Sequence, residues 1–174
     1  MSENRKIKFT TNKGVFVAEM FEDKAPLTTK NFIELVEKGF YDGIIFHRVI
    51  DGFMIQGGDP TGTGYTIPAE FVPEYKHAKG ALAAARRGDA ANPAKESSGS
   101  QFYIVQDENT CAQLDGEYTV FGQTVEGFDV IDAIAKVDTD RRDRPVSDVK
   151  ILSITLDEAS KPAPAAAADS TEVK

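Results

Sequence analysis

The sequence predicts a mainly β domain, an antiparallel sheet or barrel accompanied by two helices. Three observations lead there. Short stretches alternating apolar and polar residues recur between Ile7 and Leu156. Tight-turn residues such as Asn12-Lys13-Gly14 and Asp51-Gly52 separate several of them, and only two segments carry helical spacing. Many short strands with so few helices favour an antiparallel architecture, because parallel neighbours need a long, usually helical, crossover.

Taken in order, Ile7 to Thr11 and Val15 to Met20 flank Asn12-Lys13-Gly14 and read as a β-hairpin, since Asn and Gly tolerate the positive φ of tight turns. After Ala25-Pro26, Thr28 or Thr29 is the expected N-cap of an amphipathic helix. Leu27, Phe32, Leu35 and Val36 form its apolar stripe, and Gly39 stands where a C′ glycine belongs. Ile44 to Ile50 and Phe53 to Gln56 read as two strands split by Asp51-Gly52. The stretch from Gly57 to Pro73 is punctuated by Gly and Pro and reads as loop. Ala81 to Ala85 is small and apolar, and Arg86 to Ser100 reads as an exposed polar loop. Gln101 to Val105 and Tyr118 to Gly122 are strand candidates. Phe128, Ile131, Ile134 and Val137 mark a second helix. Val149, Ile151, Ile154 and Leu156 suggest a closing strand with a bulge where the alternation slips.

The chain has 174 residues, enough for one domain that buries about 70% of its unfolded surface. Its formal charge of −8 argues against general binding to nucleic acid or anionic membranes, which needs clustered positive charge. A single cysteine, Cys111, excludes an internal disulfide and any multi-cysteine zinc site. No apolar run approaches the roughly 18 residues of a membrane span, and the N-terminal MSENRKIKFTTNKG lacks an apolar secretory core, so a cytoplasmic protein is expected. We divide the chain into a folded domain, residues 1–158, and an Ala/Pro-rich tail, residues 159–174. The tail is too poor in large apolar groups to offset its ordering entropy and is expected to be mobile.

Several familiar chemistries fit poorly. The run Gly57-Gly58-Asp59-Pro60-Thr61-Gly62-Thr63-Gly64 is glycine-rich, but no Gly-Lys-Ser/Thr follows it. His47, His77 and Cys111 have no metal-ligand spacing. Ser98, Ser100 and His47 compose a hydrolase triad only on paper, without a nucleophile elbow. What stands out is the dense central run Phe46-His47-Arg48-Val49-Ile50-Asp51-Gly52-Phe53-Met54-Ile55-Gln56-Gly57-Gly58-Asp59. On two strands joined at Asp51-Gly52, Arg48 and Gln56 can share a face. Residue by residue, a core role for Phe53 and Met54 and a plain surface charge at Arg48 remain open.

The combined pattern resembles the cyclophilin family of peptidyl-prolyl isomerases. Beside the central run, Gly99-Ser100-Gln101-Phe102-Tyr103-Ile104, Leu114-Asp115-Gly116 and Val120-Phe121-Gly122 follow in the family's order, so the resemblance covers residues 6–156. It implies a cyclophilin-like closed eight-stranded antiparallel β-barrel capped by two α-helices. It implies isomerisation of X–Pro bonds in unfolded or flexible segments, assisting folding, with no cofactor and no metal. Arg48 and Gln56 would be catalytic; Phe53, Met54, Ala85, Arg86, Gln101, Tyr103, Gln113, Leu114 and Tyr118 would bind substrate. The expected partners are proline-containing polypeptides, met by a monomer.

The chain also departs from the family's usual pattern. Gln113 replaces a tryptophan that many members carry, so only weak cyclosporin binding is expected. Tyr118 replaces a common histidine, and Tyr103 stands where many members have Phe. The run from Gln101 to Leu114 is a little longer than in the best-known members, and the loop near Gly62-Thr63-Gly64 shorter. His47, next to Arg48, offers a rival general acid, although strand neighbours face opposite sides. A proline-segment binding module and a holdase-like chaperone are the competing function classes.

Overall fold

The computed structural model describes residues 5–58, 66–71, 76–86 and 96–156. The predicted hairpin is present as β1 (Lys6–Thr11) and β2 (Gly14–Met20), followed by helix α1 (Pro26–Glu37). The central run forms β3 (Phe46–Ile50) and β4 (Met54–Gly57), and β5 (Thr66–Ile67) is a two-residue strand. Then come β6 (Ala81–Ala84), β7 (Ser97–Ser98) and β8 (Phe102–Val105). A short helix α2 (Glu108–Cys111) continues into a 3₁₀ turn, Ala112–Leu114. Strand β9 (Val120–Glu126), helix α3 (Phe128–Ala135) and strand β10 (Ile151–Leu156) complete the order.

Eight strands form one antiparallel sheet in the order β10-β1-β2-β9-β6-β8-β4-β3, while β5 and β7 pair separately. The edges β3 and β10 meet without a continuous ladder, so the barrel expected to be closed is a strongly curled sheet with a seam. One isolated bridge, Ile45 with Lys150, crosses it, helped by the Phe46 N–H to Val149 O bond at 2.9 Å. Further back along the chain, Pro145 makes a separate bridge with Thr139. The β3 edge is instead capped by a turn, whose Asp143 carbonyl accepts the Val49 N–H at 2.7 Å.

Three local expectations need correction. Neither Thr28 nor Thr29 caps α1: Ala25 is the cap residue and Pro26 opens the helix. The orphan N–H groups of the first turn go to a distant carboxylate. Glu70 accepts from the Leu27 N–H at 3.0 Å, the Thr28 N–H at 2.7 Å and the Thr28 hydroxyl at 2.7 Å. Leu27 therefore lies beside the cap, 52% exposed, and not on the buried stripe. Third, the polar stretch from Arg86 to Ser100 is not simply exposed, since Ser97–Ser98 is a strand and Ser97 and Ser100 are buried. Helix α2, which the sequence reading did not anticipate, is capped by Asp107, whose carboxylate accepts the Asn109 N–H at 2.9 Å.

Other expectations hold. Gly39 has the left-handed φ of +73° after α1, and the last strand carries its bulge, since Thr10 pairs with Ser153 and Thr11 with Ile151. The tail, residues 159–174, and most of the glycine-rich run lie outside the described residues. Among the described residues no helix is long and apolar enough to cross a membrane. Inside the curl, Phe9 and Phe16 stack at 4.6 Å, and Phe32 meets Phe102 edge-on at 5.4 Å.

Candidate functional site

Strand periodicity divides the sheet's residues between two environments. Val49, Ile55, Ile104 and Leu82 are cross-strand partners that point into the main core. Offset by one position, Arg48, Gln56, Tyr103 and Ala83 form a second row, partnered in that order across β3, β4, β8 and β6. This row lies on the other face of the sheet, exposed at Arg48 and buried at Tyr103 and Ala83. Its buried end belongs to a smaller apolar cluster that includes Met54, Ala83, Ala85, Tyr103, Cys111 and Val120, with Phe53, Leu114 and Tyr118 packed at its margin.

Arg48 reaches this face because of a bulge. Phe46 and Arg48 lie two apart and would share a side in a regular strand, yet Phe46 is wholly buried in the core and Arg48 is exposed. Phe46 pairs with Gly57 and Arg48 with Gln56, which leaves His47 as the extra residue. His47 is half-buried, and its imidazole pKa is lowered, first by burial, then by the Arg144 and Arg48 charges. Phe53 lies in the turn before β4, so strand alternation does not separate it from Met54. Gly52 makes that turn with φ +81°.

The polar side chains of the row are linked. Arg48 Nη1 donates to Gln56 Oε1 at 3.4 Å, and Gln56 Nε2 donates to Gln101 Oε1 at 3.2 Å. Gln101 is drawn close to the end of β4 at Gly58. There a Cβ would stand 2.6 Å from the Ser100 carbonyl oxygen and 2.8 Å from the Gln101 Cα, and φ is +103°. Ala85 lies beside it, its N–H donating to the Gln101 carbonyl at 3.0 Å. Ser98 Oγ is occupied by the backbone N–H groups of Ser100 and Gln101, so it serves the turn and not a nucleophile's role.

The opposite wall comes from the turn after α2. Leu114 and Tyr118 are half-buried there, while Gln113 is exposed on the same turn. The Tyr118 ring meets Tyr103 edge-on at 5.7 Å, and Arg86 lies over it with its guanidinium carbon 4.4 Å from the ring centre. Arg86 Nε donates to the Glu117 carbonyl at 2.8 Å, so this arginine is a wall element with a side chain only 4% exposed. Cys111 donates to the Phe53 carbonyl at 3.3 Å, and burial pushes its thiol up to about 11, which makes it a poor nucleophile. The sequence reading missed His77 and Asp115. His77 lies against Tyr103, with Nε2 2.7 Å from its hydroxyl and Nδ1 2.8 Å from Asp115 Oδ1. Only the Tyr at position 103 hinted at a polar partner. Among the described residues, no group of three or more His, Cys, Asp or Glu is placed to hold a metal ion.

Arg48 is thus bonded to Gln56, and Gln56 to Gln101, beside the smaller apolar cluster. Residues 6–156 match the family described as cyclophilin type peptidyl-prolyl cis-trans isomerase. The chain belongs to the cyclophilins. It is 40% identical over 150 residues to the mouse peptidyl-prolyl cis-trans isomerase-like 1, covering 82% of this chain and 86% of that one. It is 42% identical over 158 residues to peptidyl-prolyl cis-trans isomerase-like 2 of Rhizopus delemar, covering 86% of this chain but 28% of that longer protein. Among solved structures, a cyclophilin of Cryptosporidium parvum superposes with TM-score 0.80 at 33% identity, covering 91% of this chain and 99% of the other. A second crystal structure of that cyclophilin, in the presence of the dipeptide Ala-Pro, matches with TM-score 0.80 at 32% identity, covering 88% and 99%.

Proposed function

We propose that this cyclophilin isomerises X–Pro bonds in flexible proline-containing polypeptides at the second row, with Arg48 as the catalytic donor and Gln56 beside it. The observation that supports this most is the in-register set Arg48, Gln56 and Tyr103, with the Arg48–Gln56–Gln101 hydrogen bonds running along it.

Rotation about an X–Pro bond meets a barrier of about 18–20 kcal/mol because the C–N bond has partial double-bond character. No covalent bond has to break, so catalysis requires stabilising the twisted amide better than either planar form. On twisting, the prolyl nitrogen turns pyramidal and regains a lone pair. A guanidinium donor aimed there gains strength only in the transition state. Arg48 carries five N–H donors in a rigid fork, and the bond to Gln56 orients that fork while using one of them. Phe53, Met54, Tyr103 and Leu114 would enclose the proline ring by apolar contact, the Met54 thioether adapting to ring pucker. Gln101 and the backbone around Ala85 and Arg86 would hold the chain on one side of the rotating bond. Tyr118 and Gln113 would border the groove.

We read the protein as a monomer, since among the described residues the large apolar side chains left exposed are few: Val15, Leu27, Phe71, Val125, Val146 and Leu152. A protease-coupled assay on a set of X–Pro peptides tests the isomerase reading. Turnover far above the uncatalysed rate is expected. Tight peptide binding without turnover would favour a binding module, and aggregation suppression unchanged in Arg48→Ala would favour a holdase.

A further inference from the structure

Beneath the apolar part of the row lies a buried polar chain that the isomerase mechanism does not use. The His77 side chain is completely buried, and three groups surround it. Asp115 Oδ1 lies 2.8 Å from Nδ1 and also accepts the His77 backbone N–H at 2.6 Å. The Tyr103 hydroxyl lies 2.7 Å from Nε2, and the two rings stack at 5.8 Å with 14° between their planes. Tyr118 stands edge-on to both rings, 6.5 Å from His77 and 5.7 Å from Tyr103.

The roles in this chain follow from donor and acceptor chemistry. A carboxylate only accepts, so Nδ1 carries the hydrogen that binds Asp115. Nε2 of the neutral ring is then an acceptor, and the Tyr103 hydroxyl donates to it. Burial favours that neutral form by lowering the imidazole pKa, although Asp115 opposes it. Burial also raises the Tyr103 phenol, which keeps its proton. The Tyr103 hydroxyl is thereby turned into the protein, and its ring is held between His77 and Tyr118.

Asp115 matters for a second reason, since it directly follows Leu114 on the turn that carries Gln113, Leu114 and Tyr118. Its N–H closes the 3₁₀ turn on the Ala112 carbonyl at 3.1 Å, and the Glu117 N–H bonds the Leu114 carbonyl at 3.0 Å. His77 thus joins the groove's floor on β8 to its wall on this turn.

We propose that His77 is a positioning residue for the proline pocket, acting through Tyr103 and Asp115 to fix the spacing between the Tyr103 floor and the Leu114 wall. The proposal rests on the pocket assignment made under Proposed function. A pocket wall touches planar and twisted prolines alike, so its disturbance should appear in KM and leave kcat nearly unchanged.

The test measures kcat and KM for X–Pro peptides in the parent, His77→Leu, His77→Gln, Tyr103→Phe and the double variant Tyr103→Phe/His77→Leu. Thermal melts accompany each. His77→Leu should raise KM about 3- to 10-fold, the scale of one net hydrogen bond, with kcat within about twofold. His77→Gln, whose amide can both donate and accept, should recover part of that KM. The double variant should be no worse than His77→Leu, because the lost contact is the same one. Should His77→Leu fail to fold, Tyr103→Phe, which keeps the ring, carries the test and should still raise KM. An unchanged KM, a loss confined to kcat, or additive losses in the double variant would overturn the proposal. Arg48→Ala in the same assay separates the two readings: full activity there removes the pocket assignment itself, whatever the His77 variants do.

Discussion

Replacing Arg48 by Ala removes the only charged group of the second row. The loss can be scaled from two sides. For stability, Arg48 is exposed and its bond to Gln56 is 3.4 Å long, at the weak end of hydrogen-bond geometry. Its removal should cost no more than about 0.5 kcal/mol, or a Tm change of roughly 2 °C. For activity, the lost donor is, on the proposed mechanism, the one that acts where charge develops in the transition state. Removing one such donor typically costs about 10²–10³ in rate, equivalent to about 2.7–4 kcal/mol. The two effects therefore separate: kcat/KM should fall by about 10²–10³ while the melting curve barely moves. Arg48→Lys should fall in between, because it keeps the charge but loses the planar fork that Gln56 orients. The measurement is a protease-coupled assay at low temperature, where the uncatalysed reaction takes minutes or longer, with melts on the same samples. A folded Arg48→Ala protein with kcat/KM within about threefold of the parent would refute the arginine mechanism.

Four further outcomes follow from the same structure. Cyclosporin should bind weakly, because Gln113 keeps a donor but lacks the aromatic area of tryptophan, a deficit of ~1–3 kcal/mol or roughly 5- to 150-fold in affinity. Gln113→Trp should regain that factor by calorimetry, and low-nanomolar binding by the parent would contradict the assignment. Glu70→Ala should lower Tm by roughly 2–8 °C, since it strips three hydrogen bonds from the start of α1, a loss of about 1–2 kcal/mol. An unchanged melt would show that water replaces the carboxylate at no cost. Isomerase activity should be nearly flat from about pH 6 to 9, as neither guanidinium nor glutamine changes charge there. Stability should instead fall on acidification. His47 and His77 have lowered pKa values when folded, so the unfolded chain binds more protons as pH drops below about 6.5. Tm followed from pH 7.5 to 5 checks this. A sigmoidal activity profile with a midpoint near 6–7 that vanishes in His47→Gln would move catalysis to His47.

The parts of the fold legible in the sequence are those where local chemistry and burial agree. The first hairpin, the Asp51-Gly52 turn, Gly39 after α1 and the bulge in the last strand all obey rules that act within a few residues. The misreadings share another cause. Thr28 and Thr29 are good cap residues by type, but Pro26 starts the helix earlier, and Glu70, far along the chain, supplies the acceptor. Nothing near Leu27 in sequence announces that partner. The seam between β3 and β10 was equally hidden, because its bridge joins Ile45 to Lys150, residues far apart in sequence.

The site divides in the same way. Its residue types could be named from spaced motifs, but two of its working features depend on geometry that no motif states. The first is the bulge at His47. Strict alternation would put Phe46 and Arg48 on one side, and either the core would lose a phenylalanine or the groove its guanidinium. One extra residue lets β3 bury Phe46 in the core and still bring Arg48 to the proposed site. The second is the polar chain under Tyr103. A lone histidine with no ligand spacing has no recognisable role in sequence. Its partners Tyr103 and Asp115 lie 26 and 38 residues away, on a strand and a turn that only the folded chain brings to it. A phenylalanine at position 103 would leave the buried His77 Nε2 acceptor without a donor, a cost of about 1–3 kcal/mol. The tyrosine at 103 and the histidine at 77 therefore have to be read as one choice: the Tyr103 hydroxyl satisfies the buried ring and, on our proposal, holds the floor of the groove in place.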